Sequence, residues 1–150
     1  MNANCPTGIG GKGSSGLAAA VSQTEGAIGY VDVAYALKNH LSFAAIQNKN
    51  GKYALPGLRG IASAAASVRT VGANNEMSIV NPPKGFKNAY PISTYTYVIL
   101  PLSTPKAKEL RRFVFWALTS GQKYGPKLLF VPIPRFVLAA SEKTLTKVHT

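Results

Sequence analysis

Apolar positions recur along this chain at two different spacings. Ala107, Leu110, Phe113, Val114 and Ala117 fall three and four residues apart, the spacing of one helix face. Thr104-Pro105 just before them supplies an N-cap followed by a first-turn proline, and Gly121 supplies a stop. Between Ile92 and Leu102 the period falls to two. Thr94, Thr96 and Val98 alternate with Tyr95, Tyr97 and Ile99, which predicts the clearest strand of the chain.

Shorter elements follow from the same reading. Residues 1–16 are rich in Gly, Asn and Ser and predict a loop. Leu17 to Gln23 suits a helix capped by Ser14 or Ser15 and ended by Gly26. Ala27 to Val31 predicts a buried strand, with Gly29 where another group must pass closely. Val33 to Asn39 suits a short helix, and Leu41 to Gln47 a second strand leading to a turn at Asn48 to Lys52. Pro56 opens an alanine-rich helix. Met77 to Val80 predicts a short strand, broken by Asn81-Pro82-Pro83-Lys84-Gly85. A short apolar segment, Leu128 to Val131, precedes a last helix from Phe136 to Val148. Alternating strands and helices predict an α/β fold with a partly parallel sheet. No internal repeat or long linker interrupts this order.

Composition narrows the function classes. The 150 residues are 46% hydrophobic, which excludes a disordered tail, but only 15% charged. Lys and Arg number 17 against 5 Asp and Glu, giving a net charge of +12 that comes from scarce carboxylates rather than basic runs. The longest adjacent basic pair is Arg111-Arg112. Glu25, Asp32, Glu76, Glu109 and Glu142 are scattered, so paired-carboxylate catalysis has no local support. His40, His149 and Cys5 lack the spacing of a metal cluster, and one cysteine excludes an intrachain disulfide. The longest unbroken apolar run, Phe113 to Leu118, is too short to span a bilayer. The opening MNANCPTGIGG has no cationic stretch leading into an apolar core, so no secretion signal is expected in this sequence.

Three motifs offer chemistry. Gly8-Ile9-Gly10-Gly11-Lys12-Gly13 fits G-x-G-x-x-G, but a dinucleotide site needs a preceding strand. Only seven residues precede Gly8, and they include Pro6, so a glycine loop is the better reading. Ser14 and Ser15 could cradle an anion at a helix start or simply cap the helix, and capping is the commoner role. Tyr90, Tyr95, Tyr97, Phe113, Phe115 and Trp116 lie near Arg111 and Arg112, a combination that single-stranded nucleic acids use for stacking. Phe113 sits on the apolar stripe, and Phe115 and Trp116 lie off it, which predicts a helix covered on more than one side. His40 reads as a helix-end residue. No G-x-S-x-G elbow or Walker loop is present. The residues therefore nominate no catalytic, cofactor-binding or metal-binding position.

The order of segments carries more. Gly11-Lys12-Gly13-Ser14-Ser15-Gly16-Leu17-Ala18-Ala19-Ala20-Val21 leads to Gln23-Thr24-Glu25-Gly26-Ala27-Ile28-Gly29-Tyr30-Val31, Ala34-Tyr35-Ala36 and Ala44-Ala45-Ile46-Gln47-Asn48. Ala89-Tyr90-Pro91-Ile92-Ser93-Thr94-Tyr95-Thr96-Tyr97, Phe115-Trp116-Ala117 with Gly121, and Val131-Pro132-Ile133-Pro134 follow. Together these blocks, over about residues 8–140, resemble the C-terminal half of the phosphate-binding proteins of bacterial phosphate ABC transporters, which have the two-lobed type II periplasmic-binding-protein fold.

The resemblance implies a partial fold. After the 1–16 start, residues 17–90 form the later part of the second lobe, and 91–150 return to the first, short of much of their sheet. It implies a non-enzymatic receptor on the periplasmic or extracellular face, without cofactor, partnered by inorganic phosphate and by permease subunits. The phosphate ligands of the family precede this segment, so no phosphate-binding residue is expected within it. The alternative is a basic interaction module that binds nucleic acid or another polyanion. The charge fits either reading, because a positive field concentrates anions. It also fits an acidic exterior, since few carboxylates remain to be protonated.

Overall fold

The computed structural model describes residues 8–150. Cys5 lies outside them. The chain divides after Ala44 into two compact units, Met1–Ala44 and Ala45–Thr150.

The first unit holds two helices. Helix α1 spans Gly13–Gln23, four residues longer at its start than expected. Lys12 holds the N-cap position with no side-chain cap, so Ser14 and Ser15 lie inside the first turn and do not cap it. A turn with Gly26 at φ +73° closes the helix as anticipated, Ala27 N–H donating to the Thr24 carbonyl at 3.1 Å. Ala27 to Val31 joins no ladder among the described residues, and Ile28 is 98% exposed rather than buried. Only Gly29 keeps its expected role: a Cβ there would meet the Val21 methyl at 2.8 Å.

Helix α2, Val33–Lys38, is one residue shorter than expected and is capped by the Asp32 carboxylate, which accepts from Ala34 N–H at 2.8 Å. Its end explains His40. The His40 N–H donates to Leu37 and the Leu41 N–H to Ala36, the two bonds of a Schellman motif, with His40 at φ +53°.

The second unit opens with a hairpin. Strands β1 (Ile46–Gln47) and β2 (Tyr53–Ala54) pair antiparallel, with Gln47 opposite Tyr53. The turn falls at Asn48 to Lys52 as expected: Gly51 N–H donates to Asn48 O and Asn48 N–H to Lys52 O, both at 2.9 Å. Gly51 takes the left-handed conformation that this loop requires, φ +72°. Helix α3, Leu58–Ala65, starts after Gly57 rather than at Pro56. Helix α4 is Ala107–Leu118, a 3-10 segment runs Ser120–Leu128, and α5 is Arg135–Leu145.

Helix α4 departs from expectation at both ends and along its face. Thr104 accepts from Ala107 N–H in a turn before the helix, and Lys106 occupies the N-cap position. Thr119 ends it, its hydroxyl donating to Phe115 O at 2.7 Å, while Gly121 lies inside the 3-10 segment. The helix buries only Ala107 and Val114, so Phe113, Phe115 and Trp116 all stand at least half clear of cover or nearly so, at 62%, 50% and 48% exposure.

The largest departure is the sheet. Among the described residues the hairpin is the only ladder, and the one parallel pairing is an isolated bridge, Ser103 to His149. Met77 to Val80 and Ile92 to Leu102 belong to no strand. Alternation makes a strand only where a neighbour offers backbone groups to pair with, and among the described residues neither segment has one. The mixed helix-and-strand character stands, with most of the expected sheet missing.

The core of the second unit is built from small side chains. Ala64, Ala65, Val68, Ile79, Ala89 and Val137 are buried together, with Val71, Met77, Phe86, Tyr95 and Ile133 packed around them. Small residues let backbones approach closely. At Gly60 a Cβ would lie 2.9 Å from Leu55 O and 3.3 Å from the Tyr90 Cβ, and Tyr90 N–H donates to Gly60 O at 3.1 Å.

Candidate functional site

The glycine-rich start does not make a nucleotide site. Among the described residues no strand leads into Gly8 to Gly13, and the segment runs directly into α1. Without that strand the turn cannot aim a pyrophosphate at the helix.

The second unit contains a cleft of about 310 Å³ between the end of α3 and the 76–83 segment. Its polar lining includes Ser67, Arg69, Thr70, Glu76 and Ser78. Arg69 and hydroxyls are the right chemistry for an oxyanion, but the geometry engages them elsewhere. The Arg69 guanidinium donates to Ala66 O at 3.2 Å and to Val68 O at 3.4 Å, and its carbon lies 5.6 Å from the centre of the Phe86 ring. Ser78 Oγ accepts from Val80 N–H at 3.3 Å. Glu76 accepts from Asn74 N–H at 2.8 Å, holding a 72–76 turn and setting a negative charge in the cleft. A dehydrated phosphate needs several uncommitted donors aimed at one point. This cleft does not converge them.

A shallower hollow of about 380 Å³ is lined by Arg111, Arg112, Phe115, Glu142, Leu145 and Thr146. Here the basic pair on α4 faces a carboxylate of α5. Along α4 the Phe113 and Trp116 rings stack at 6.2 Å between centres, and Trp116 meets Tyr124 at 6.4 Å. Lys123 lies 5.1 Å from the Tyr124 ring. This is the aromatic and basic cluster anticipated from the sequence, but only its α4 half assembles.

Tyr95 packs against the core instead, and Tyr90 packs beside Gly60. Tyr95 Oη donates to Ala65 O at 3.2 Å, and burial, reinforced by the Tyr97 phenol, pushes its pKa up to about 12. Burial also raises that of Tyr90. Tyr97 Oη donates to Met77 O at 2.7 Å, tying the 92–102 segment to the 77–80 segment.

The carboxylates stay apart, as their spacing implied. Asp32 caps α2, Glu76 holds its turn, Glu109 lies in the first turn of α4, and Glu142 borders the hollow. Among the described residues no three His, Cys, Asp or Glu gather as a metal ion would require. No helix there is long and apolar enough to cross a membrane.

Sequence reasoning missed the most constrained polar residue. Asn48, 6% exposed, donates from Nδ2 to Lys87 O at 3.0 Å and to Ala89 O at 3.2 Å. Its Oδ1 accepts from Asn50 N–H at 3.0 Å and Lys52 N–H at 3.3 Å. One amide thus closes the hairpin turn and fastens it to the 87–89 segment. Half of that role was readable, since Asn opens Asn-x-Asn-Gly turns. The contacts 39 and 41 residues away were not.

Comparison with known proteins follows the order of segments. The PBP superfamily domain matches residues 3–120. The phosphate-binding protein PstS of Xylella fastidiosa (strain Temecula1) is 35% identical over 132 residues, 86% of this chain and 36% of that protein. The proteins of the same name from Pasteurella multocida (strain Pm70) and Methanocaldococcus jannaschii are each 34% identical, over 89% and 80% of this chain. They are covered over 39% and 34% of their own lengths. The chain therefore spans little more than a third of these relatives, less than the half that the resemblance implied. By the extent of the domain match and the collinear identity, this chain belongs to the PBP superfamily.

Proposed function

We propose that these residues are the C-terminal portion of the substrate-binding component of a phosphate ABC transporter. The observation that carries this reading is identity to phosphate-binding proteins along 86% of the chain. In this reading the protein captures inorganic phosphate outside the cytoplasm, in the periplasm or at the extracellular face, and delivers it to permease subunits. It performs no chemical step. Residues 17–90 belong to the second lobe, and 91–150 return to the first.

The phosphate ligands then lie in the portion of the receptor beyond this segment. Capture of a dehydrated oxyanion needs donors from both sides of a cleft, already oriented. The Arg69 cleft offers one guanidinium, engaged by carbonyls, and a carboxylate beside it. Titration calorimetry with inorganic phosphate at low and high salt is the test. Residues 1–150 alone are expected to show no saturable heat, and joining them to the upstream portion of a relative restores it. Tight, salt-resistant 1:1 binding by residues 1–150 alone would overturn the assignment of the ligands.

One observation favours a second reading. The exposed Phe113, Trp116 and Tyr124 rings beside Arg111, Arg112 and Lys123 are the stacking-and-charge surface that single-stranded nucleic acid uses. A DNA affinity that falls steeply with salt and is lost in Trp116→Ala supports that reading. Passage through a polyanion column without retention at moderate salt removes it.

A further inference from the structure

The hollow between α4 and α5 has walls of opposite chemistry. One wall is α4, where Arg111 and Phe115, four residues apart, share a face and Arg112 stands one position round from them. The other is α5 with its C-cap, where Glu142, Leu145 and Thr146 share a face by the same three- and four-residue spacing. The two helices pack on one another, so both walls are set within the second unit. Glu142, Leu145 and Thr146 also lie beyond residue 120, where the domain match ends. The hollow is therefore made by two helices of this chain and is not the edge of an unfilled sheet.

Donors and acceptors are sorted between the walls. The Arg69 guanidinium commits its N–H groups to backbone carbonyls. Among the described residues those of Arg111 and Arg112 donate to no group, and no ion pair crosses to Glu142. A guanidinium offers donors only, in a planar fork that matches a carboxylate. The facing wall offers acceptors. A carboxylate accepts, and Thr146 has already donated its hydroxyl proton to Lys143 O at 2.8 Å, which leaves its oxygen lone pairs. Between the walls lie the buried Leu145 and the half-exposed Phe115 ring.

We propose that this hollow binds a small aryl carboxylate that carries a hydroxyl or amino donor at the end remote from its carboxylate. Charge sets the anion. Two guanidiniums against one carboxylate suit a monoanion, and Glu142 opposes a second negative charge beside it. Size and lining set the body. The hollow's volume of about 380 Å³ lies in the range of small-molecule sites, and Phe115 and Leu145 favour a flat apolar ring over a hydrated ion. The acceptor wall sets the far end, since Glu142 and Thr146 are satisfied only by a donor. Inorganic phosphate fits neither the apolar floor nor the single charge, so the site is independent of the receptor reading above.

Amide NMR titration of residues 1–150 with para-hydroxybenzoate, benzoate, phenol and inorganic phosphate tests this. Para-hydroxybenzoate is expected to give saturable shifts confined to the 111–115 and 142–146 stretches. Benzoate, without the far donor, binds about threefold more weakly. Phenol and inorganic phosphate each bind about tenfold more weakly or worse, since each lacks one half of the match. Arg112 is exposed, so Arg112→Gln keeps the fold, and it lowers affinity for both carboxylates about tenfold. Arg112→Lys keeps the charge without the planar fork and falls between. Glu142→Ala gives the discriminating signature: benzoate tightens as the repulsion goes, and the preference for the hydroxyl disappears. Absence of saturable shifts, or shifts centred on Trp116 or on the Arg69 cleft, overturns the proposal. So does phenol binding as well as para-hydroxybenzoate, which would leave an apolar patch, or inorganic phosphate doing so, which would leave a general anion patch. An unchanged hydroxyl preference in Glu142→Ala overturns the assignment of the acceptor wall.

Discussion

Two regions of the second unit, joined end to end, solve the same problem differently. From Ile46 to Pro91 the buried side-chain polar groups among the described residues find partners, Asn75 Oδ1 excepted. Asn48 binds four backbone groups, Gly60 lets Tyr90 pack against α3, and Ala64 and Ala65 are almost fully covered. From Ile92 to Leu118 the chain has comparable apolar content but leaves it open, with Ile99, Phe113 and Trp116 in solvent. Hydrophobicity alone did not decide burial. The first region closes its core largely on itself and completes it with Tyr95, Ile133 and Val137, while the second leaves most of its large apolar side chains open.

That contrast predicts that truncation costs much in the first region and little in the second. Ile79 is 2% exposed at the centre of the small-residue core. Ile79→Ala is expected to destabilise by about 3 kcal/mol, within the usual range for a buried aliphatic cut to alanine. Urea unfolding followed by circular dichroism measures it. A change below about 1 kcal/mol would mean that the core collapses around the cavity and is not as tightly fitted as its burial implies.

Asn48→Ala comes next, at about 2 kcal/mol. It removes a buried amide and strands the Lys87 and Ala89 carbonyls, and leaving buried groups unpaired costs more than the net worth of the bonds. Asn48→Asp sharpens the point. A carboxylate keeps the two acceptor contacts to Asn50 and Lys52 but cannot donate to the carbonyls. Both variants should show equal loss if the long-range bonds dominate. A stable Asp variant would put the weight on the turn instead.

These two residues also measure how much was readable. The turn at Asn48 to Lys52, helices α2 and α5 and the close approach at Gly29 were legible because each rests on local rules: capping, turn chemistry and helical period. The small-residue core was signalled only by the alanine run of α3, since Ile79 and Val137 reach it from distant segments. Sheet was over-read. Alternation in Ile92 to Leu102 reports how the segment can pack, while a ladder also needs a second strand, and that information is not in the segment. The same gap hid the Arg69 cleft, whose lining comes from two irregular stretches without periodic signal. Family resemblance located the chain where residue chemistry could not, because collinear blocks constrain a fold more tightly than any one motif does.

Tyr95 marks the seam between the two regions, and alkaline pH probes it. Its pKa is raised to about 12 from the ordinary 10.0, so the folded chain keeps the phenol neutral where the unfolded chain ionises it. The stability tied to Tyr95 is therefore fully present below pH 10.0, falls between there and about 12, and levels off above. Tyr95→Phe loses the bond to Ala65 O, about 1 kcal/mol at neutral pH, and flattens this part of the alkaline decline. Unfolding midpoints at several alkaline pH values decide it. An unchanged slope in the Phe variant would assign the decline to other groups and leave Tyr95 on the open side of the seam.

The smallest effect is the most informative. Ile99 is 92% exposed and sits in a segment with no backbone pairing, so Ile99→Ser should change stability by no more than about 0.5 kcal/mol. An isoleucine in a sheet would behave otherwise, since swapping a covered β-branched side chain for a small polar one costs both packing and burial. The same variant can therefore read two states of the molecule by its urea midpoint. Neutrality in residues 1–150 together with a marked loss once the rest of the receptor is joined would show that the segment acquires its neighbours from there. A loss above about 1 kcal/mol in residues 1–150 alone would mean that Ile99 is already covered, and the contrast between the closed and open regions would fall with it.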